Sequence, residues 1–422
     1  MEMMAMESLT DHQEYNSNEI TIKNLNHPAN ASRFLRDLQI IAANTDDKRI
    51  FLKGRPKAFF PNALLPICGM MEHYKSLGYE FVNELSCPNL SLSKFTDPIQ
   101  MTPEQIRILP NPYNRIFLFD SNDQVDVITQ TYVDVLSKSC VCGEGVLDGI
   151  NWCIAEIMDN VLTHSGSHYG LVMAQIHQST QHIAFGIYDS GVGIYKTLNS
   201  SKHRPRSELD ALSIAIQEGT SDGKGQGNGL YGLYQIVKNN MGRLTITSGH
   251  SSLMMDGTGE IKHFDHLPYI DDDHCGTLVD FQLDLRKNIN MQEAFRTIGG
   301  FSGIDMRIDN MLSEEDEMVH YRILEVAQGT ATRQSGFGLR TDIKNTFERT
   351  KRRIILDFEG IQNVSSSFID ELIAKLVLDF GFVAFNQIFT IINMNQDICY
   401  LCNRSLYMRV HEEWQACTSG KQ

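Results

Sequence analysis

Glu156, Asn160 and His164 recur every four residues in Glu-Ile-Met-Asp-Asn-Val-Leu-Thr-His. On a helix that spacing stacks a carboxylate, an amide and an imidazole in one line, while Ile154, Ile157, Met158, Val161 and Leu162 form the opposite face. A carboxylate held beside a triphosphate can orient and deprotonate a nucleophile. An asparagine oxygen can ligate Mg²⁺ without adding charge. Downstream, Phe185-Gly-Ile-Tyr-Asp189 reads as a buried strand ending in Asp189-Ser-Gly191-Val-Gly193. A carboxylate there can accept from an exocyclic amine such as adenine N6, and the glycines let the backbone approach a flat base. Next comes a glycine-rich run, Gly223-Lys224-Gly-Gln-Gly227-Asn-Gly229-Leu230-Tyr-Gly232, leading into an apolar helical stretch. Backbone N–H groups at such a helix start bind anions, and Lys224 is the cation placed for a γ-phosphate. Thr277, opening a late strand, can reach the base or a water bridging to Asp189. Taken singly, the pieces also read as an amphipathic helix, a capped turn and a solvated lysine; their joint occurrence in this order points to magnesium, base and phosphates.

Two common phosphate schemes are excluded. The glycines do not open a βαβ unit with an acidic ribose partner, and no Gly-Lys-Ser/Thr occurs. Between the base and phosphate elements, Lys196–Gly225 is long, polar and rich in Lys, Arg, Ser and Gly, as a mobile cover over phosphates would be.

The elements that must position these groups fall into three segments. Residues 1–18 are polar and Met-rich and read as a disordered lead. In residues 19–112, strand-like Arg49–Lys53, a helix over Asn62–Ser76 and strand-like Tyr79–Val82 imply a crossover unit. Residues 115–288 open with strand Arg115–Phe119 and a helix over Gln124–Lys138, and close with strands Arg243–Ser248 and Thr277–Leu285. The Gly/Asp/His-rich Gly249–Cys275 between them reads as a hairpin-like loop. Residues 289–317 form a linker ending in an acidic run. Residues 318–422 repeat the outer plan: strand Val319–Val326, a Gly/Ser/Thr-rich stretch to Gly338, helix Asp342–Thr350, strand Arg353–Phe358, helix Phe368–Phe380 and strand Gln387–Ile392.

With 422 residues the chain exceeds what one core usually holds. Its 37 basic against 52 acidic residues give a formal charge of −15, so nucleic acid is not an expected partner. No apolar run approaches a membrane span, and no signal peptide is evident. Nine scattered cysteines then favour reduced thiols and a cytoplasmic location. Cys399-Tyr-Leu-Cys402 has metal-ligand spacing but no second pair.

Residues 115–288 resemble the GHKL or Bergerat-fold ATPases. Glu156 and Asn160 match the family's helix motif of base and magnesium ligand; Asp189, Gly191 and Gly193 match its adenine box; Gly227, Gly229, Leu230 and Gly232 match its phosphate loop; Thr277 matches its last-strand threonine. The Glu-x-x-x-Asn-x-x-x-His pattern is closest to the bacterial anti-sigma serine kinases, while the long Lys196–Gly225 segment departs from their short lids. Both outer segments resemble STAS-type domains, which bind such kinases. Ser367, in Val-Ser365-Ser366-Ser367-Phe, falls at their phospho-acceptor position, although these serines also suit a plain helix cap. The first segment has Phe59-Phe60-Pro61 there, which implies docking alone. The fold expected is therefore α/β: a central Bergerat-type sandwich with a mixed sheet, flanked by two small STAS-like α/β domains. The resemblance implies ATP and Mg²⁺ as ligands, protein partners through the flanks, and leaves homodimerisation open. Three functions fit: a regulatory ATPase, a serine kinase acting on Ser367 or on a partner, and a non-catalytic scaffold.

Overall fold

The computed structural model describes residues 18–87, 90–220, 229–265, 276–295, 318–327 and 329–419. The expected lead lies outside them except for Asn18, as do Lys224, Gly227 and most of the expected linker.

The chain is α/β, and its described residues form three sheets. β1 (Glu19–Thr21), β2 (Arg49–Gly54) and β3 (Glu80–Leu85) run parallel in that order. Parallel neighbours need crossovers, supplied by helices Ala29–Asn44 and Pro61–Ser76. The C-terminal unit repeats this: β11 (Val319–Arg322), β12 (Ile354–Asp357) and β13 (Phe389–Ile392) are parallel in that order. Its crossovers are helix Arg333–Thr350 and the helical run Ser366–Ile369, Asp370–Ala374 and Lys375–Phe380, whose middle turn is π-helical.

Between them, β4 (Ile116–Phe119), β5 (Gly170–His177), β6 (His182–Asp189), β7 (Arg243–Ser248), β8 (Ser251–Met255), β9 (Ile261–Phe264) and β10 (Thr277–Asp284) form a seven-stranded sheet ordered β4-β5-β6-β10-β7-β8-β9. Every pairing in it is antiparallel, not mixed as expected. Part of the reason is local: short turns join β5 to β6, β7 to β8 and β8 to β9 as hairpins, while the two successive helices between β4 and β5 return the chain antiparallel.

Both faces of this sheet are covered. Val172, Phe185, Ile187, Val279 and Phe281 join the core under helices Asn122–Ser139, Val146–His164 and Gly229–Asn239. Leu171, Met173, Tyr188 and Leu278 point the other way, into the core of the N-terminal unit. Helix Pro61–Ser76 seals that second face. A β-carbon on Gly69 would collide with the Tyr188 ring, and one on Gly186 would lie 2.8 Å from Leu65. The helix also buries Leu64, Leu65 and Met71 completely. At roughly 1.5–3 kcal/mol for each buried aliphatic side chain, this contact makes the N-terminal unit a layer of the central structure, not a docking module alone.

The C-terminal unit is fastened through one helix. Asn345 donates to the Ser137 and Cys140 carbonyls and accepts from Cys142 N–H, closing the end of helix Asn122–Ser139. Asp342 accepts from Ser137 Oγ at 2.8 Å, and Arg349 pairs with Asp148 in the first turn of the Glu156 helix.

Several expected boundaries shift. The helix expected over Asp342–Thr350 starts at Arg333, because Gly336 lets it approach Phe368, whose carbonyl would lie 2.8 Å from a β-carbon there. The Gly249–Cys275 loop contains β8 and β9. The strand expected over Val319–Val326 stops at Arg322, and a short helix occupies Phe382–Ile388 before β13. The described part of the expected mobile cover, 196–220, takes in the end of helix Gly193–Asn199 and all of helix Glu208–Ala215, which packs through Ala211, Leu212 and Ala215.

At the N-terminal interface Asn62 Nδ2 donates to Asp280 Oδ2 at 3.3 Å, and Asn62 Oδ1 is buried without a partner. Burial pushes the Asp280 carboxyl up to about 7, against the opposing pull of Asn62. A folded-state value above the ordinary 3.8 means stability is fully present below about pH 4 and is lost as pH rises through about 7. An amide at this position removes the charge and offers an N–H to Asn62 Oδ1. Asp280→Asn is therefore expected to melt at least ~2 °C above wild type at pH 8, with the gap closing toward pH 4. A lower midpoint at pH 8, or a gap independent of pH, contradicts this reading.

Candidate functional site

The Glu156 helix, Val146–His164, presents its polar stripe to the start of helix Gly229–Asn239. A β-carbon built on Gly229 would collide with the Glu156 carboxylate and lie 2.8 Å from Asn160 Nδ2. Glycine is the residue that leaves both groups in place. Burial raises the Glu156 pKa above the ordinary range, with Asp159 adding to the shift and His164 opposing it. A carboxylate so placed is a stronger base than one in water. One turn along, Gly232 packs against Trp152, which in turn meets Phe295 edge-on at 4.8 Å. Leu230 is half-buried and touches the central core.

The far end of the Glu156 helix meets the turn after β6. Ser165 caps the helix, and its carbonyl accepts from Val192 N–H at 2.9 Å. Gly191 lies so close to Ser165 that a β-carbon would collide with that carbonyl. Gly193 has φ +78, a left-handed conformation glycine adopts freely, and opens the helix to Asn199. Asp189 ends β6, is buried, and accepts from Gly191 N–H at 2.8 Å. Burial pushes its pKa up to about 6, with backbone donors Gly191 and Thr277 pulling it down. Thr277 is the cross-strand neighbour of Asp189.

These residues thus form two clusters along one helix, the first at its middle and the second at its C-terminal end. Glu156, Asn160, Gly229 and Gly232 gather at one; Asp189, Gly191, Gly193 and Thr277 gather at the other. The positions of Lys224 and Gly227 lie outside the described residues. Ser367 belongs to the C-terminal unit, half-buried and 3.0 Å from Ser365 Oγ. Ser365 is the residue that caps the helix, accepting from Phe368 N–H, and Ser366 is the exposed serine. Cys399 is exposed and Cys402 buried, and among the described residues no group of three His, Cys, Asp or Glu side chains is placed to hold a metal.

Ser248 is a member of the site that sequence patterning does not single out. Its hydroxyl accepts from Ile194 N–H at 2.8 Å and lies 3.1 Å from Thr277 Oγ1. As the last residue of an alternating strand it looks like any polar edge position, and only the β7–β10 pairing opposite Thr277 reveals it.

Residues 335–398 match the family model of a STAS-like domain of unknown function (DUF4325). The match takes in β12, β13 and nearly all of helix Arg333–Thr350, so the C-terminal unit is STAS-like. No curated protein matches the chain. Among the described residues, no helix is long and apolar enough to cross a membrane.

The buried Asp189 gives the site a direct test. In the free protein its carboxyl should titrate near 6 by carbon-detected NMR, assigned through the signal missing in Asp189→Asn. A midpoint in the ordinary aspartate range, near 4, contradicts the burial described here.

Proposed function

We propose that residues 115–288 bind ATP with magnesium as a GHKL-type domain and hydrolyse it slowly, acting as a regulatory switch through the flanking units. The observation that carries this reading is the crowding at Gly229. With no β-carbon at Gly229, the start of that helix comes directly against the carboxylate of Glu156 and the amide of Asn160, the two groups this reading assigns to base and magnesium. The Val192–Ser165 bond supports it by joining the Asp189 turn to the same helix.

In this reading Asp189 accepts from the adenine amine, and its raised pKa falls as that donor arrives. Thr277 sits beside it at the base. Glu156, half-buried and basic, takes the proton of the attacking water. Asn160 would hold magnesium through its neutral side-chain oxygen. Bound magnesium supplies charge neutralisation across the phosphates. Contact of the C-terminal unit with Asp148, on the Glu156 helix, gives a route by which nucleotide state reaches the STAS-like surface and its protein partners. A cytoplasmic location accords with the free cysteines among the described residues.

Phosphotransfer to Ser367, in this chain or a neighbour, is the competing reading. The hydrogen bond between Ser367 and Ser365 engages that hydroxyl, so hydrolysis is preferred.

Calorimetry with Mg-ATP should show binding by wild type and none by Asn160→Ala. With γ-labelled ATP, Glu156→Gln should release free phosphate ~10²-fold or more slowly than wild type. Label on protein instead of free phosphate overturns hydrolysis in favour of transfer. Undiminished binding by Asn160→Ala sinks the site altogether.

A further inference from the structure

Helix Glu208–Ala215 is capped by Ser207, whose hydroxyl accepts from Asp210 N–H. The carboxylate of Glu208 turns away from its own helix. It accepts from the backbone N–H of His250 at 2.6 Å and lies 3.4 Å from His250 Nδ1. Gly249 has φ +59, and a β-carbon on it would collide with this carboxylate. The β7–β8 turn is therefore shaped around Glu208. A second contact, Ser213 Oγ to His263 Nε2 at 3.2 Å, ties the same helix to β9.

The turn begins immediately after Ser248, whose hydroxyl joins Ile194 N–H to Thr277 Oγ1. Thr277 is in turn the cross-strand neighbour of Asp189. A continuous series of bonded groups thus runs from Glu208 through the Gly249–His250 turn, Ser248 and Thr277 to the buried carboxylate.

We propose that Glu208 and Ser248 are positioning residues that hold the Thr277–Asp189 edge at the height a purine ring requires. The proposal rests on the ATP reading above and extends it to recognition of the base. In this assignment both residues act through Thr277 on the base end.

The test compares Mg-ATP binding with displacement of Mg-ATP by adenosine, for full-length wild type and variants. Glu208→Ala is expected to weaken both ligands by ~10-fold, the size of one lost hydrogen bond to a charged group. Glu208→Gln keeps an acceptor oxygen for His250 N–H and should regain most of that loss. Ser248→Ala should weaken both ligands likewise, and combining it with Glu208→Ala should cost less than the product of the single effects, as expected for groups in one network. Thermal melts of each variant confirm that it is folded. Wild-type affinity in both Glu208→Ala and Ser248→Ala overturns the proposal, and so does a loss confined to Mg-ATP with adenosine unaffected. In those cases the ATP reading stands, because wild type still binds. Failure of wild type to bind either ligand overturns both.

Discussion

The pairing of β6 with β10 is the constraint from which the rest follows. Register sets Thr277 against Asp189, Leu278 against Tyr188 and Val279 against Ile187. A slip of one residue would turn every side chain to the opposite face. With this register, Tyr188 and Leu278 enter the N-terminal core, while Ile187 and Val279 enter the helical core. Asp189 is left at the strand end between two apolar layers, and that placement raises its pKa. Its chemistry is thus a property of the whole sandwich.

The same constraint explains why the three units are not beads on a string. An antiparallel sheet usually leaves one face to water. Here helix Pro61–Ser76 covers the second face, and it brings a buried carboxylate, Asp280, against Asn62. On the opposite side the C-terminal unit ends one central helix with Asn345 and engages the first turn of the next with Arg349. Buried polar groups of this kind cost more when left unpaired than they contribute when paired. They hold the units in one arrangement, and the Arg349–Asp148 pair ties the Glu156 helix to the C-terminal unit.

Much of this was legible in the sequence. The four-residue spacing of Glu156 and Asn160 marked a polar stripe, and the described Gly229 does meet it. Repeated strand, helix and strand segments announced the two parallel units, and the C-terminal one is STAS-like. What escaped depends on long-range packing. Gly336 and Gly338 have poor helix propensity, yet the helix runs through them because Gly336 admits the Phe368 backbone. β8 and β9 hide in a Gly- and Asp-rich stretch: β9 is the outermost strand and largely exposed, and β8 is marked only by the short run Leu253-Met-Met255. The helix Ala29–Asn44, absent from the expected elements, was legible, since Ala31, Phe34, Leu35, Leu38 and Ile41 keep helical spacing, whereas nothing local reveals that Gly69 and Gly186 are cut to fit a partner layer.

Photo-labelling with 8-azido-ATP tests the central claim most directly, since the reactive azide reports where the base lies. Proteolysis and mass spectrometry of the irradiated protein should place the label on peptides containing Asp189–Gly193 or Thr277, with unlabelled Mg-ATP suppressing it. Label that falls elsewhere, or that excess Mg-ATP does not displace, would contradict a nucleotide seated between the Glu156 helix and the Asp189 turn.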